Sequence, residues 1–305
     1  MIISASRRTD IPSYYSDWFI NRLKDGYVYV RNPVNYRQVS NVPLSPDLVD
    51  CIVFWTKDVR PMINKLVIIE KMGFDRYYFQ YTITPYGRTI ESNIDSKKNI
   101  ISSVLSLRDK IGRERIVWRY DPIIINKRFD IAFHVKSFEG FCRRLHKSCD
   151  HVIVSFIDIY SHIKKIYEHP REEDVFYLST QIKEICASYG LPVQSCCENG
   201  LVKHGIPHGS CIDKQLIAKI CGRELKLKKD NNQRKNCLCC ESIDVGTYNT
   251  CLNGCTYCYA NKGKSLSMYY DEYSPLLCST LSDEDNLYDR NVVSCLNKYN
   301  QLSLF

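Results

Sequence analysis

The run R-I-V-W-R-Y, residues 115–120, continues directly into D-P-I and decides how the rest of the chain is read. Its β-branched and aromatic residues, in so short a stretch, predict a strand rather than a fragment of helix. The charged groups Arg119 and Asp121 stand where that strand ends. The same pattern recurs to either side. Short apolar runs lie at 2–6 (I-I-S-A-S), 27–30 (Y-V-Y-V), 51–55 (C-I-V-F-W), 77–83 (Y-Y-F-Q-Y-T-I), 152–157 (V-I-V-S-F-I) and 192–196 (P-V-Q-S-C). Between them stand amphipathic stretches. In 131–147, Phe133, Phe138, Phe141 and Leu145 recur at near-helical spacing, and in 172–188 Val175, Leu178, Ile182 and Ile185 share one side. Strands alternating with helices imply parallel pairing and right-handed crossovers. The expected fold class is therefore α/β, a partial or complete parallel (β/α) barrel.

Polar residues follow each run: Arg7, Arg8, Thr9 and Asp10; Thr56 and Lys57; Thr82 and Thr84; Arg119 and Asp121; Asp158; Cys196 and Glu198. In β/α barrels the C-terminal strand ends converge on one mouth, where the chemistry sits. Any one of these residues is as readily a loop charge or a cap, and the two threonines are the weakest members. Taken together they make Lys57, Arg119, Asp121 and Asp158 the candidate substrate- or cofactor-contacting residues.

With 44% hydrophobic and 25% charged residues in 305, the composition is that of a globular protein with a sizeable core. No apolar run approaches the ~18–20 residues of a membrane helix. The opening M-I-I-S-A-S-R-R-T-D-I-P reverses the order of a secretory signal, so a cytoplasmic protein without membrane partners is expected. A formal charge of +8 suits an anionic substrate or nucleic acid, and the densest basic run is 223–235. Trp55, Trp118 and Tyr120 are candidates for stacking on a base and equally candidates for core.

Ten of the sixteen cysteines fall between residues 196 and 258. Without a secretory signal, such clustering points to metal rather than to disulfides. Cys51, Cys142, Cys149, Cys186, Cys278 and Cys295 are scattered and read mostly as small buried hydrophobes. In T-C-L-N-G-C-T-Y-C-Y-A-N, residues 250–261, Cys251, Cys255 and Cys258 are spaced C-x3-C-x2-C with Tyr257 before the last. Structural zinc asks for four closed ligands, whereas three thiolates on one loop suffice for three corners of a [4Fe–4S] cluster. The spacing therefore favours iron–sulfur over zinc and leaves open what fills the fourth corner.

C-L-N-G-C-T-Y-C resembles the cysteine signature of radical S-adenosylmethionine (SAM) enzymes, and Y-C-Y-A is similar to its spore photoproduct lyase-like branch. The resemblance implies that SAM chelates the open iron and is cleaved reductively to a 5′-deoxyadenosyl radical. It places Tyr257 near the adenine, calls for a flavodoxin- or ferredoxin-type reductant, and points to nucleic acid as substrate. S-A-S-R-R-T-D-I-P, F-W-T-K (54–57), W-R-Y-D-P-I (118–123) and Y-N-T-C-L-N-G-C-T-Y-C-Y-A also resemble, over residues 1–262, an uncharacterised bacterial family known as a domain of unknown function.

Radical SAM enzymes carry the triplet after the first barrel strand, whereas here it follows the last run, I-D-V-G-T-Y (243–248). A circular permutation reconciles the two, with 243–248 in place of the first strand and 2–6 beside it. Arg7, Arg8 and Asp10 then become candidates for holding the SAM carboxylate or ribose. The resemblance to the uncharacterised family also selects Cys196, Cys211, Cys237 and Cys239 as a second metal site, either [4Fe–4S] or zinc. Cys197, Cys221 and Cys240 stay open as alternatives, and His204 and His208 read as surface loop residues.

The expected organisation is a barrel core over 1–200, a cysteine-rich iron–sulfur region over 201–262 that completes the barrel, and a polar tail over 263–305. The leading expectation is a radical SAM-type enzyme. The alternative is an iron–sulfur or zinc protein acting in electron transfer or nucleic-acid binding without cleaving SAM.

Overall fold

The computed structural model describes residues 1–296. The chain opens with β1 (Ile2–Ala5), helices α1 (Ile11–Tyr14) and α2 (Ser16–Asp25), strands β2 (Tyr27–Arg31), β3 (Gln38–Pro43) and β4 (Cys51–Thr56), and helices α3 (Arg60–Ile63) and α4 (Leu66–Lys71). Then follow β5 (Tyr77–Thr82), α5 (Lys97–Ile111), β6 (Ile116–Ile123), α6 (Ile131–Leu145), β7 (His151–Phe156), α7 (Glu172–Ser188) and β8 (Val193–Cys196). The last third holds β9 (His208–Gly209), α8 (Lys214–Cys221), β10 (Ile243–Asp244) and β11 (Asn286–Asp289). Helix starts follow from their caps. Asp130 accepts from the Phe133 amide at 2.8 Å, Ser96 caps α5 through the Asn99 amide, and Asp213 caps α8 through Gln215 and Leu216.

Eight strands form one parallel sheet in the order β10-β1-β4-β5-β6-β7-β8-β9, curled into a half-barrel. Alternation along each strand sends side chains to opposite faces. The outer face carries Phe54, Phe79 and Trp118 into a core closed by the helices, where Trp118 stacks on Phe138 of α6 with ring centroids 4.9 Å apart. The inner face carries Tyr78, Gln80, Trp55 and Arg119, and residues 211–240 pack over its lower half. Trp118 and Tyr120 are thus wholly buried core, and of the three stacking candidates Trp55 alone is partly exposed.

Three segments depart from the sequence expectation. Y-V-Y-V is not a barrel strand: β2 pairs antiparallel with β3, and β11 joins them in a separate three-stranded sheet. The short return through 32–37 makes a hairpin, which no parallel crossover could fit. The tail contributes that third strand, β11, where no pattern was legible. Only Ile243–Asp244 of the run 243–248 is strand, aligned parallel beside β1 with Ile3 opposite Ile243 and Ser4 opposite Asp244.

Candidate functional site

Strand β10 leads straight into the loop that carries the cysteine triplet, and side chains of the barrel mouth pin that loop. Asn249 (φ 61°) closes its base, its side-chain oxygen accepting from the Lys262 and Gly263 amides at 2.7 and 3.1 Å. Asn253 donates to Asp10 Oδ2 at 3.0 Å and accepts from the Tyr14 hydroxyl at 2.9 Å. The Thr256 amide donates to Ile90 O at 2.9 Å, and Asn93 Nδ2 donates to Leu252 O at 2.6 Å. Gly254 has φ 67°, and a Cβ there would stand 2.0 Å from Ser92 Oγ. Glycine therefore meets two demands in the middle of the triplet: a left-handed backbone and close approach. Cys251, Cys255 and Cys258 are all half-buried.

Beside Cys255 lies a buried carboxylate that sequence reading missed. Glu91 is 1% exposed and accepts from Lys57 Nζ at 2.8 Å, Lys97 Nζ at 2.7 Å, Thr84 Oγ1 at 2.6 Å and the Tyr257 hydroxyl. Burial works to raise its pKa, yet the two ammonium groups and their hydrogen bonds outweigh it and hold the carboxyl at about 2. Lys57 is tuned the opposite way. Burial works to lower its pKa, and Glu91 and Cys255 more than offset that, keeping it charged. Its ammonium stands 5.7 Å from the Tyr257 ring centroid. Glu91 sits in the irregular stretch T-I-E-S-N after β5, with no periodicity to mark it as buried.

The remaining predicted residues divide between mouth and floor. Asp10 caps α1, accepting from the Ser13 amide at 3.1 Å and also from the Lys57 amide at 2.8 Å. Arg8 lies over the Tyr248 ring at 5.3 Å and donates to Gly246 O at 3.3 Å. Arg7 turns inward: its guanidinium donates to Ser242 Oγ at 2.9 Å and lies over Trp55 at 5.8 Å. Arg119 approaches the same indole at 5.2 Å, pairs with Asp121, and donates to Cys211 Sγ at 2.5 Å. Asp158 is exposed and pairs with Arg234. Arg119, Asp121 and Arg7 therefore connect with the upstream cysteines, whereas Lys57, Asp10 and Tyr257 gather at the triplet.

Cys196, Cys211, Cys237 and Cys239 share one buried cluster at the floor, with Cys196 Sγ 3.2 Å from Cys211 Sγ and Cys197 packed against the cluster. Cys221 is apart, its thiol donating to Asp50 O at 3.4 Å. His204 ends a short 3-10 turn and His208 lies on β9. Among the described residues, no group of three or more His, Cys, Asp or Glu side chains is drawn tightly enough around one point to hold a metal ion as it stands. A cubane asks for a different arrangement from a single ion, because each thiolate binds a separate iron. The donor set of the triplet, three half-buried thiols on one pinned loop, fits that chemistry.

The profile of a family described as a domain of unknown function (DUF1848) matches residues 2–260. The chain belongs to that family. No curated protein matches it. Among solved structures it is similar to the carboxyl transferase domain of Rhizobium etli pyruvate carboxylase, at 11% identity and a TM-score of 0.28, covering 91% of this chain and 44% of that one. A pyruvate-bound variant of the same domain gives 10% identity and a TM-score of 0.30, covering 91% and 45%. The chain thus spans less than half the length of those domains, and a likeness this slight carries no argument. No helix among the described residues is long and apolar enough to cross a membrane.

Proposed function

We propose that this family member is a radical SAM-type enzyme whose active site is the mouth of the half-barrel at β10, β1 and β4. The observation that carries the proposal is the placement of the C-x3-C-x2-C loop. It follows a strand paired beside β1 and lies against the Lys57–Glu91–Tyr257 network at the strand ends. Pairing of 243–244 beside 2–5 also supports reading the barrel as circularly permuted.

Cys251, Cys255 and Cys258 would hold a [4Fe–4S] cluster with one open iron. Bound there, the cluster supplies the electron for reductive cleavage of SAM. The protein's own part is positioning. Glu91 fixes the Tyr257 hydroxyl and so the ring face available to an adenine. Asp10 and Tyr14 hold Asn253, which fixes the turn between the first two cysteines. Burial pushes the Cys255 thiol up, to about 12, and the neighbouring Lys57 ammonium opposes that shift without overcoming it. Arg8, whose Nε lies 3.9 Å from Asp244, is the arginine offered to a carboxylate or ribose, because the Arg7 guanidinium is engaged with Ser242 and Trp55.

The electron donor in this reading is a cytoplasmic flavodoxin- or ferredoxin-type protein. The net charge of +8 favours an anionic substrate, nucleic acid among them. The test is electron paramagnetic resonance of anaerobically purified, dithionite-reduced protein with and without SAM. A reduced-cluster signal that shifts with SAM and is lost in the triple Ala variant of Cys251, Cys255 and Cys258 supports the proposal. A signal indifferent to SAM would make the triplet an electron carrier.

A further inference from the structure

The connection between β7 and α7, residues 157–171, packs directly on the triplet loop. A connection of that length without helix or strand is uncommon in a compact fold and usually functional. Ile163 and Tyr167 are its buried anchors, clustered with Tyr86 and Tyr257. The Tyr167 hydroxyl bonds Thr256 Oγ1, between the second and third cysteines. His162 Nε2 lies 2.9 Å from Cys258 O. A carbonyl only accepts, so the proton sits on Nε2 and the imidazole donates. An exposed side chain thus touches the backbone of a candidate cluster ligand.

The outer surface of these two segments is cationic. With Ile163 and Tyr167 turned in, Lys164, Lys165 and Ile166 are left exposed. On the triplet side, Lys262 and Lys264 are exposed as the chain leaves Cys258. Ring contacts hold the two segments together. Tyr160 lies 5.9 Å from Tyr259, and Lys262 Nζ lies 5.9 Å from the Tyr160 ring centroid. Among the described residues, none of these four lysines pairs with a carboxylate. Of the acids in 157–171, Asp158 is already paired with Arg234, which leaves Glu168. Like charges gathered without counter-charges favour an anionic partner.

A phosphate polymer would be drawn by the same charge, and exposed rings at such a site would stack its bases. Here the rings are already engaged. His162 stacks on Tyr160 at 6.2 Å, Lys262 lies over the same ring, and the Tyr259 hydroxyl donates to Arg7 O. What remains is a small apolar centre, Tyr259 at 37% exposed and Ile166 at 63%, with lysines around it. An apolar centre within a polar rim is the anatomy of a protein contact. A small contact steered by charge suits a short-lived electron-transfer encounter.

We infer that segments 160–166 and 258–264 form the docking face for an acidic, flavodoxin-class electron-donor protein. Lys164, Lys165, Lys262 and Lys264 steer it, and His162 links the face to Cys258. One electron leaves the donor's reduced flavin and enters the oxidised cluster, and no bond forms or breaks. The inference rests on the cluster reading of the triplet given above.

The test compares the wild type with a variant combining Lys164→Glu, Lys165→Glu, Lys262→Glu and Lys264→Glu, all at exposed positions. Fully reduced flavodoxin is mixed anaerobically with each full chain, and cluster reduction is followed by stopped-flow absorbance. Charge reversal should slow reduction at least about tenfold at low ionic strength. The gap should close at 1 M salt, where screening acts within about 3 Å. The dithionite-reduced paramagnetic signal and its shift with SAM should be the same in both chains. Flavodoxin binding is also measured by calorimetry, including the triple Ala variant of Cys251, Cys255 and Cys258. The wild type and the triple Ala variant should bind alike, and the charge-reversed chain at least about tenfold more weakly. Equal reduction rates in the two chains, or rates indifferent to salt, would overturn the inference. So would a charge-reversed chain that keeps flavodoxin and loses a single-stranded oligonucleotide, which would make the face a nucleic-acid surface. A missing cluster signal with dithionite would instead sink the cluster reading, and the calorimetry would still decide the docking face.

Discussion

Replacing Glu91 with Gln keeps the shape of a buried side chain with four hydrogen-bond partners at the mouth and removes its charge. Two ammonium groups then face an amide, with Lys57 only 12% exposed in its side chain and Lys97 25%. Breaking one partner from a buried ion pair costs about 3–5 kcal/mol. Burial already works to lower the pKa of Lys57 and is outweighed by Glu91. In the variant burial prevails, so the folded-state pKa drops below the unfolded one. Such a lysine destabilises at low pH, and its penalty shrinks as pH rises towards the unfolded value, about 10. Urea denaturation followed by tryptophan fluorescence, on metal-free protein from about pH 6.5 to 9.5, should therefore show a deficit that narrows as pH increases. A deficit under about 1 kcal/mol at neutral pH, or one flat with pH, would refute the claim that this carboxylate neutralises buried charge.

In the wild type, the Glu91 carboxyl is depressed from 4.5 to about 2. Its contribution, about 3 kcal/mol from that difference, is present above 4.5 and lost as pH falls towards 2; Glu91→Gln should show a shallower acid limb in the same titration. Gly254→Ala forces a side chain into left-handed backbone against Ser92, and iron bound per chain should fall with overall stability changed by only about 1–2 kcal/mol. Trp118→Ala should cost about 3–5 kcal/mol by thermal or urea unfolding, because Trp118 is core and not a stacking platform. Asp10→Ala removes an N-cap worth about 1 kcal/mol and also frees Asn253, so loss of cluster loading should exceed what the stability change explains, as read by iron and sulfide counts.

Much of this was legible in the one-dimensional pattern, for local reasons. Runs such as 51–55, 77–83 and 115–120 are strand because β-branched and aromatic residues in short stretches suit a buried pleated surface. The helical period of 172–188 is written in Val175, Leu178, Ile182 and Ile185, and α7 covers those residues. The triplet was equally plain, because its residues are adjacent in the chain. Tertiary structure decided what depends on residues far apart in sequence. It turned Y-V-Y-V into a hairpin and gave its sheet a third strand from 286–289, a pairing that spans some 250 residues. It brought Glu91 between Lys57 and Lys97, and it drew Cys196, Cys211, Cys237 and Cys239 to one floor. It also turned Arg7 over Trp55 and Arg8 over Tyr248, although the two are neighbours. Side-chain type is local, whereas burial and charge pairing are set by whatever the fold places alongside, and composition and spacing carry no record of that.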